Sequence, residues 1–388
     1  MLPYGRQTIL EDDIRAVVDV LRSPLLTCGP LVARFEQAIA AKVGATHVSA
    51  CSSGTAALHL AYAALGIGPG DEIITTPITF SATAAAAYYV GATVRIADVD
   101  SRTGNLSPSA VEALVNSRTK AIVPVHLAGL PVDLSEIFAI ARKHGLLVIE
   151  DACHALGATY RGRPIGSGDS DAVVFSFHPV KHITTGEGGA VVTRSAAMKR
   201  RVDRLRQHGV ERDQQRLQLP VEGPWSYEIQ ELGWNYRLAD IACALGVTQL
   251  AKLDDFIAAR RSLVAAYRAA IATRFPDGSI DMPVEPADRE SAYHLFAVAI
   301  DFAKHGTTRD AVMRLLAANG IGTQVHYIPL LRHPLHAARC PAELERARPG
   351  ADHFYARTLS LPLFPTMTVA DVDRVVDVLH TALSGESR

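Results

Sequence analysis

The 388-residue sequence is short of several things, and each shortage narrows what the protein can be. Its five cysteines, Cys28, Cys51, Cys153, Cys243 and Cys340, are scattered and show no CxxC spacing. That leaves no zinc ribbon, redox pair or even disulfide framework, and fits a reducing, cytoplasmic compartment. Net charge is almost missing: 39 Lys and Arg against 40 Asp and Glu leave −1. So small a balance offers no field to gather nucleic acid or an acidic membrane surface. No apolar run approaches membrane-spanning length. The opening Met1-Leu2-Pro3-Tyr4-Gly5-Arg6 lacks the basic-then-apolar order of a signal peptide, so a soluble, intracellular protein is expected. Internal repeats and low-complexity tracts are also missing.

What is there is a well-stocked interior, 48% hydrophobic, in a chain long enough for one large core and a smaller second domain. Thr8-Ile9-Leu10-Glu11 has capping-box spacing and predicts a helix from there to Leu21, with Ile14, Val17, Val18 and Leu21 on its apolar face. A loop from Leu25 to Pro30 and a helix over about Val32 to Val43 follow. Strands are then expected at Val48 to Ala50, Glu72 to Thr75, Thr93 to Ile96, Ala121 to Val125, Leu146 to Ile149, Ala172 to Phe175 and Ala190 to Thr193. Helices at Thr55 to Leu65, Ser81 to Val90, Ser107 to Val115 and Leu134 to His144 separate them, two of them closed by Gly91 and Gly145. This alternation predicts an α/β fold, a mostly parallel sheet covered by helices. An irregular stretch from Gly209 to Tyr236 holds both tryptophans, and helices are expected at Ala239 to Lys252 and Asp254 to Arg274. Segments at Tyr293 to Ile300, Arg309 to Asn319, Gly322 to His326 and Val369 to Leu383 suggest a smaller α+β domain. The expected division is an arm and large domain over residues 1–250 and a small domain over residues 251–388.

Ligands of such sheets bind beyond the carboxyl ends of the strands, and three chemistry-bearing segments fall there. The first is Lys181, set among small, hydroxyl and aromatic residues in Phe175-Ser176-Phe177-His178-Pro179-Val180-Lys181-His182. Desolvation would leave its amine partly free, as Schiff-base chemistry requires, although a glycine-rich turn with a snorkelling lysine reads the same way. The second is Asp151, closing Leu146-Leu147-Val148-Ile149-Glu150. A buried carboxylate needs a partner, either a pyridinium N–H or loop N–H groups. Asp151, Cys153 and His154 match no zinc spacing, so no metal is expected. The third is Ser53-Gly54-Thr55 at a helix start, which suits an anion or serves as an ordinary cap, with Ser176 able to add a hydroxyl. Phe80 could stack on a flat ring or join the core. The roles of His178 and His182 stay open.

Together, Ser53-Gly54-Thr55, Thr79-Phe80, Glu150-Asp151-Ala152-Cys153-His154 and Ser176-Phe177-His178-Pro179-Val180-Lys181 resemble the DegT/DnrJ/EryC1/StrS nucleotide-sugar aminotransferases over nearly the whole chain. Ile183-Thr184-Thr185-Gly186-Glu187-Gly188-Gly189, with Glu228 to Arg237 and Gln324-Val325-His326-Tyr327, looks most like the branch that aminates C4 of a UDP-linked 4-keto sugar in the pseudaminic acid pathway. The resemblance implies the aspartate-aminotransferase-like fold, fold type I, with pyridoxal 5′-phosphate as cofactor. It also implies a UDP-4-keto sugar and L-glutamate as substrates, and a homodimer with shared active sites. By motif match Lys181 is the Schiff-base lysine, Asp151 the ring-nitrogen partner, Phe80 the stacking residue, and Gly54, Thr55 and Ser176 the phosphate contacts. His154 stands where glutamine often sits beside the cofactor, and Asn235 matches the asparagine that reaches the neighbouring subunit's phosphate. Ser176 and Asn235 also match substrate-contacting positions. So do Tyr4, Leu26, Thr27, Cys28, Gly29, Ser53, Gln324, Val325, His326 and Tyr327. Dehydratases of the family carry histidine where this chain has Lys181.

Overall fold

The computed structural model describes residues 1–385. Helices α1 (Glu11–Leu21) and α2 (Pro30–Val43) lead into an alternation of strand and helix. It runs β1 (His47–Cys51), α3 (Gly54–Ala64), β2 (Glu72–Thr75), α4 (Ala82–Tyr89), β3 (Thr93–Ile96), α5 (Pro108–Glu112), β4 (Thr119–Ile122), α6 (Leu134–His144) and β5 (Leu147–Asp151). A short hairpin, β6 (Thr159–Tyr160) with β7 (Arg163–Pro164), precedes β8 (Ala172–Ser176), β9 (Gly189–Thr193) and α7 (Ala196–Leu205). Seven strands form one sheet in the order β1-β9-β8-β5-β4-β2-β3. Only β9 runs against its neighbours, β1 and β8; the other pairs are parallel, as the alternation predicted.

Both faces of this sheet are buried, which is why its strands read as near-continuous apolar runs. Successive residues point to opposite sides. Ile73, Ile149 and Val174 pack with Leu58 and Leu60 of α3 and Val202 of α7. Ile74, Val148 and Phe175 pack with Phe35 and Ile39 of α2 and Ile137 of α6.

The stretch after α7 carries a small hairpin, β10 (Val210–Glu211) with β11 (Glu228–Ile229), before α8 (Asp240–Ala251) and α9 (Leu253–Arg274). Then follow β12 (Ile280–Asp281), β13 (Arg289–Glu290), β14 (Phe296–Ile300), α10 (Arg309–Ala318), α11 (Pro334–Arg339), α12 (Pro341–Leu344), α13 (Pro349–Arg357), β15 (Thr358–Leu361) and α14 (Val369–Ser384). β12, β14 and β15 form an antiparallel sheet with β14 in the middle. Its core joins Leu263, Tyr267 and Ile271 of α9 to Phe296, Val298, Leu359, Val372 and Val375. Leu253, at the other end of α9, belongs to the core of the large sheet, so one helix of 22 residues ties the two units together. We propose residues 1–250 and 251–388 as these units. The arm crosses between them: Leu2 N–H donates to Gly320 O at 2.8 Å, and Leu363 N–H to Tyr4 O at 3.0 Å.

Three local expectations are corrected. Helix α1 starts at Glu11 rather than being capped by Thr8, because the Asp13 carboxylate takes the Leu10 N–H at 2.9 Å. Asp13 is itself fixed by Gln249 and Lys252, each at 2.8 Å, so a tertiary tie to α8 sets the helix start. Its expected apolar face is largely uncovered in the single chain, with Ile14 48% and Leu21 56% exposed. The fourth strand ends at Ile122, ahead of Pro124, which has no N–H to give a ladder. Gly322 to His326 is not a strand; only Gln324 bridges Ser360. One edge of the small sheet is β15, a buried run with no sequence expectation; the other is β12.

Candidate active site

The carboxyl ends of β1, β2, β5 and β8 open onto one cavity of about 780 Å³. Ser53, Gly54 and Thr55 follow β1 there, Phe80 follows β2, and Asp151 and Ser176 end β5 and β8. Ser53 caps α3, its hydroxyl oxygen accepting from Ala56 N–H at 3.0 Å. The next N–H groups, of Gly54 and Thr55, have no helical acceptor and sit at the positive end of an 11-residue helix. A Cβ on Gly54 would stand 2.9 Å from Ser176 Cβ and 3.3 Å from Cys153 Sγ. Only glycine lets the three strand ends come this close.

Lys181 sits on a loop closed at its neck. Phe177 N–H donates to Gly188 O at 2.8 Å, while Thr185 N–H and the Thr184 hydroxyl both donate to Phe177 O at 3.0 Å. Buried Phe177 and Ile183 anchor the two sides, and Gly186 turns with φ +79°. Lys181 lines the cavity. Burial lowers its pKa against the pull of nearby Cys153 and Asp151, which raises the share of free amine. Its flanking histidines part ways. His178 is exposed at the cavity, whereas His182 is buried with Nε2 3.0 Å from Ala292 O.

Asp151 is buried, and neutral donors hold both its oxygens: Thr83 Oγ1 at 2.7 Å and Cys153 N–H at 3.2 Å. His154 lies beside it, with Nε2 3.1 Å from Tyr327 OH and its ring 4.3 Å from that of His294. His154 Nδ1 is buried without a partner in the protein. Desolvation, first, and Lys181 among the neighbouring charges hold the His154 pKa well below the usual histidine value; His294 is depressed the same way. Both shifts favour the neutral imidazole.

The small unit and the arm supply the opposite wall. Tyr4, Gln324, Val325, His326 and Tyr327 all line the cavity. His326 Nδ1 is 2.8 Å from Ser360 Oγ, and the Tyr4 ring lies 5.4 Å from that of His326. Burial lowers His326 to about 4 and pushes the Tyr327 phenol up. Phe80 is 62% exposed, its ring 6.3 Å from that of Tyr327, and so offers an open aromatic face.

Five expected residues stay outside the cavity of the single chain. Asn235 is exposed, with its backbone paired to Gln207. Leu26, Thr27 and Cys28 are exposed, and Gly29 N–H donates to Asp240 at 2.8 Å. Thr83, His294, Glu187 and His333 also line the cavity, outside the expected site residues, as does Cys153 of the trio that matched no zinc spacing. Thr83 had a usable signal, since it stands in the first turn of the helix that follows Thr79-Phe80. His294 had none.

These residues fit pyridoxal phosphate. The Gly54–Thr55 backbone with Ser176 offers an anion cradle, Asp151 is an acceptor still without a cation, Lys181 offers an amine, and His154 has an unused ring nitrogen. Among the described residues no group of three or more His, Cys, Asp or Glu could hold a metal ion, and no helix is long and apolar enough to cross a membrane.

Comparison with known proteins agrees with this geometry. The sequence profile of the DegT/DnrJ/EryC1/StrS aminotransferase family matches residues 7–380. The spore coat polysaccharide biosynthesis protein SpsC of Bacillus subtilis is 40% identical over 385 residues, 99% of this chain and 97% of that one. The structure of Helicobacter pylori PseC, an aminotransferase of pseudaminic acid biosynthesis, superposes with a TM-score of 0.91 at 30% identity, covering 99% of this chain and all of that one. Streptomyces venezuelae DesV, solved with a ketimine intermediate, gives 0.85 at 33% identity, covering 98% of this chain and 99% of that one. The fold is accordingly fold type I, and the chain belongs to the DegT/DnrJ/EryC1/StrS family as a pyridoxal phosphate-dependent sugar aminotransferase.

Proposed function

We propose that the protein transfers the amino group of L-glutamate to C4 of a UDP-linked 4-keto-6-deoxy-N-acetylhexosamine, giving UDP-4-amino-4,6-dideoxy-N-acetyl-β-L-altrosamine for pseudaminic acid biosynthesis in the cytoplasm. The observation that carries the reading is that Lys181 and Asp151 open into one cavity whose far wall, Gln324 to Tyr327, comes from the other unit. The likeness to PseC supports the choice of sugar. A second reading keeps the chemistry and changes the acceptor to another UDP-4-keto sugar, such as the one aminated to 4-amino-4-deoxy-arabinose; the higher identity to SpsC, a spore coat polysaccharide biosynthesis protein, supports an acceptor other than that of PseC.

Bound pyridoxal phosphate supplies the electron sink and carries the amino group between the two substrates. Asp151, steadied by Thr83, would accept a hydrogen bond from the ring N–H and favour the protonated nitrogen. Gly54, Thr55 and Ser176 would hold the phosphate, and Phe80 would stack on the ring. Lys181 Nζ is the base: desolvated and partly neutral, it takes the proton from Cα of glutamate and returns one at C4 of the sugar. His154 presents a neutral imidazole to the cofactor's edge. Tyr4, Ser53 and Gln324 to Tyr327 contact the sugar nucleotide.

Asn235 and Leu26 to Gly29 act in the site of a second copy, making a homodimer. The uncovered apolar side chains Ile14, Leu21 and Leu26, with Leu232 at 90% exposure, support that reading. Incubation with ¹⁵N-glutamate and a panel of UDP-4-keto sugars tests it. Label should appear at C4 of the hexosamine. Turnover of the pentose alone would reassign the acceptor, and unlabelled product would exclude transamination.

A further inference from the structure

Glu150 and Asp151 are consecutive buried carboxylates at the end of β5, and the pleat sends them to opposite faces of the sheet. Asp151 faces the large cavity. Glu150 borders a separate cavity of about 180 Å³ beside Phe138, Tyr160 and Ile165. A buried carboxylate is costly unless its oxygens are fully bonded, so its bonds deserve an account.

His126 Nδ1 accepts the Val132 N–H at 3.1 Å, so the ring proton sits on Nε2 and is donated to Glu150 Oε2 at 2.7 Å. The Ser170 hydroxyl donates to Glu150 Oε1. His126 also donates its backbone N–H to the Asp151 carbonyl at 3.1 Å, and Asp151 N–H donates to Pro124 O at 2.9 Å. One residue thus grips both carboxylate-bearing positions, Glu150 through its side chain and Asp151 through its main chain. β8 holds the other side of the strand, with Val174 opposite Asp151.

We propose that Glu150, clamped by His126 and Ser170 behind the sheet, is a positioning residue that fixes the Asp151 carboxylate against the cofactor ring nitrogen. The cluster touches neither cofactor nor substrate. Its effect runs through the backbone at the strand end, where a small rotation would swing Asp151 away from Thr83 and the ring. Hydrogen bonding rather than charge does this work. Glutamine at position 150 can still accept from His126 Nε2–H with its amide oxygen and donate to Ser170 with its NH₂.

This inference rests on the ring-nitrogen role given to Asp151 above, so Asp151→Asn is measured alongside. The readouts are pyridoxal phosphate affinity of the apoenzyme, the visible absorbance band of the holoenzyme, and thermal melting. Glu150→Ala should weaken cofactor binding about tenfold, as expected for leaving buried donors unpaired, and shift the band. Glu150→Gln should restore both. A folded Glu150→Ala protein with wild-type affinity and band, while Asp151→Asn changes both, overturns the clamp alone. An unchanged Asp151→Asn protein overturns the ring-nitrogen assignment instead. Should Glu150→Ala not fold, Ser170→Ala decides by the same readouts: about threefold weaker binding supports the clamp, and wild-type values overturn it.

Discussion

The two walls of the cavity are built differently. The sheet-side wall comprises Thr55, Phe80, Asp151 and Ser176, at or past the ends of strands of the large sheet, together with Lys181 on the loop that leaves β8 and is closed at its neck by Phe177. The facing wall, Gln324 to Ile328 with His333, has no strand of its own. It hangs on scattered ties: the reciprocal Gln324–Ser360 backbone pair, His326 Nδ1 2.8 Å from Ser360 Oγ, Tyr327 OH 3.1 Å from His154 Nε2, Leu330 N–H to Pro77 O at 2.9 Å, and His336 Nε2 2.8 Å from Ser81 Oγ. Reacting groups need sub-ångström placement and occupy the rigid side. Under the proposed function, shape selection among related sugars needs only contacts that can vary, and it would fall to the facing wall, a strap from Gln324 to His333. The comparison predicts that changes on the first wall strike turnover and cofactor binding, and changes on the second strike substrate affinity.

The largest effect tests the rigid wall. Lys181→Ala should lower kcat by about 10³-fold or more, since it removes the proton-transferring base, while melting stays near wild type. Stopped-flow absorbance with glutamate reads this directly, and turnover near the wild-type level would end the assignment. Thr83→Val comes next. Losing the donor to Asp151 should weaken cofactor affinity by about tenfold, with sugar KM unchanged. If it altered only KM, the division between the walls would fail at its centre.

Smaller changes probe the strap. Gln324→Ala should raise sugar KM by about fivefold, the value of roughly one hydrogen bond, and leave kcat within about twofold. Acid titration offers the gentlest contrast. Desolvation holds His59 to about 4, His182 to about 3 and His326 to about 4, all below the ordinary 6.5. The unfolded chain therefore binds protons that the folded chain refuses. The full stability contribution is present above about pH 6.5 and is lost as pH falls towards 4, at about 1.4 kcal/mol per proton and pH unit. Melting curves from pH 7.5 to 5 should show that decline. His59→Asn, away from the cavity, should flatten it without touching sugar KM, whereas His326→Asn should flatten it and raise KM.

Much of the sheet-side wall was legible because its signals are local. Apolar runs locate strands, Gly145 ends α6 in the left-handed conformation, and polar residues after each run mark the carboxyl ends. The strap was not legible in this way. Its neighbourhood ties to loop residues more than two hundred positions earlier, Leu330 to Pro77 and His336 to Ser81, and Gly322 to His326 has no continuous strand partner, only the Gln324–Ser360 bridge. Thr8 misled for a related reason, since Asp13 answers to Lys252 rather than to its own helix.

By itself the sequence determined the period of burial, and with it the parallel sheet, the strand ends and the lysine and aspartate set there. These depend on chemistry within a few residues. Only the tertiary structure decided that Thr83 braces Asp151, that His182 turns away while His294 turns in, and that the far wall hangs on scattered ties. Those outcomes are chosen by packing between segments far apart in the chain, where desolvation and unpaired hydrogen bonds outweigh any local preference.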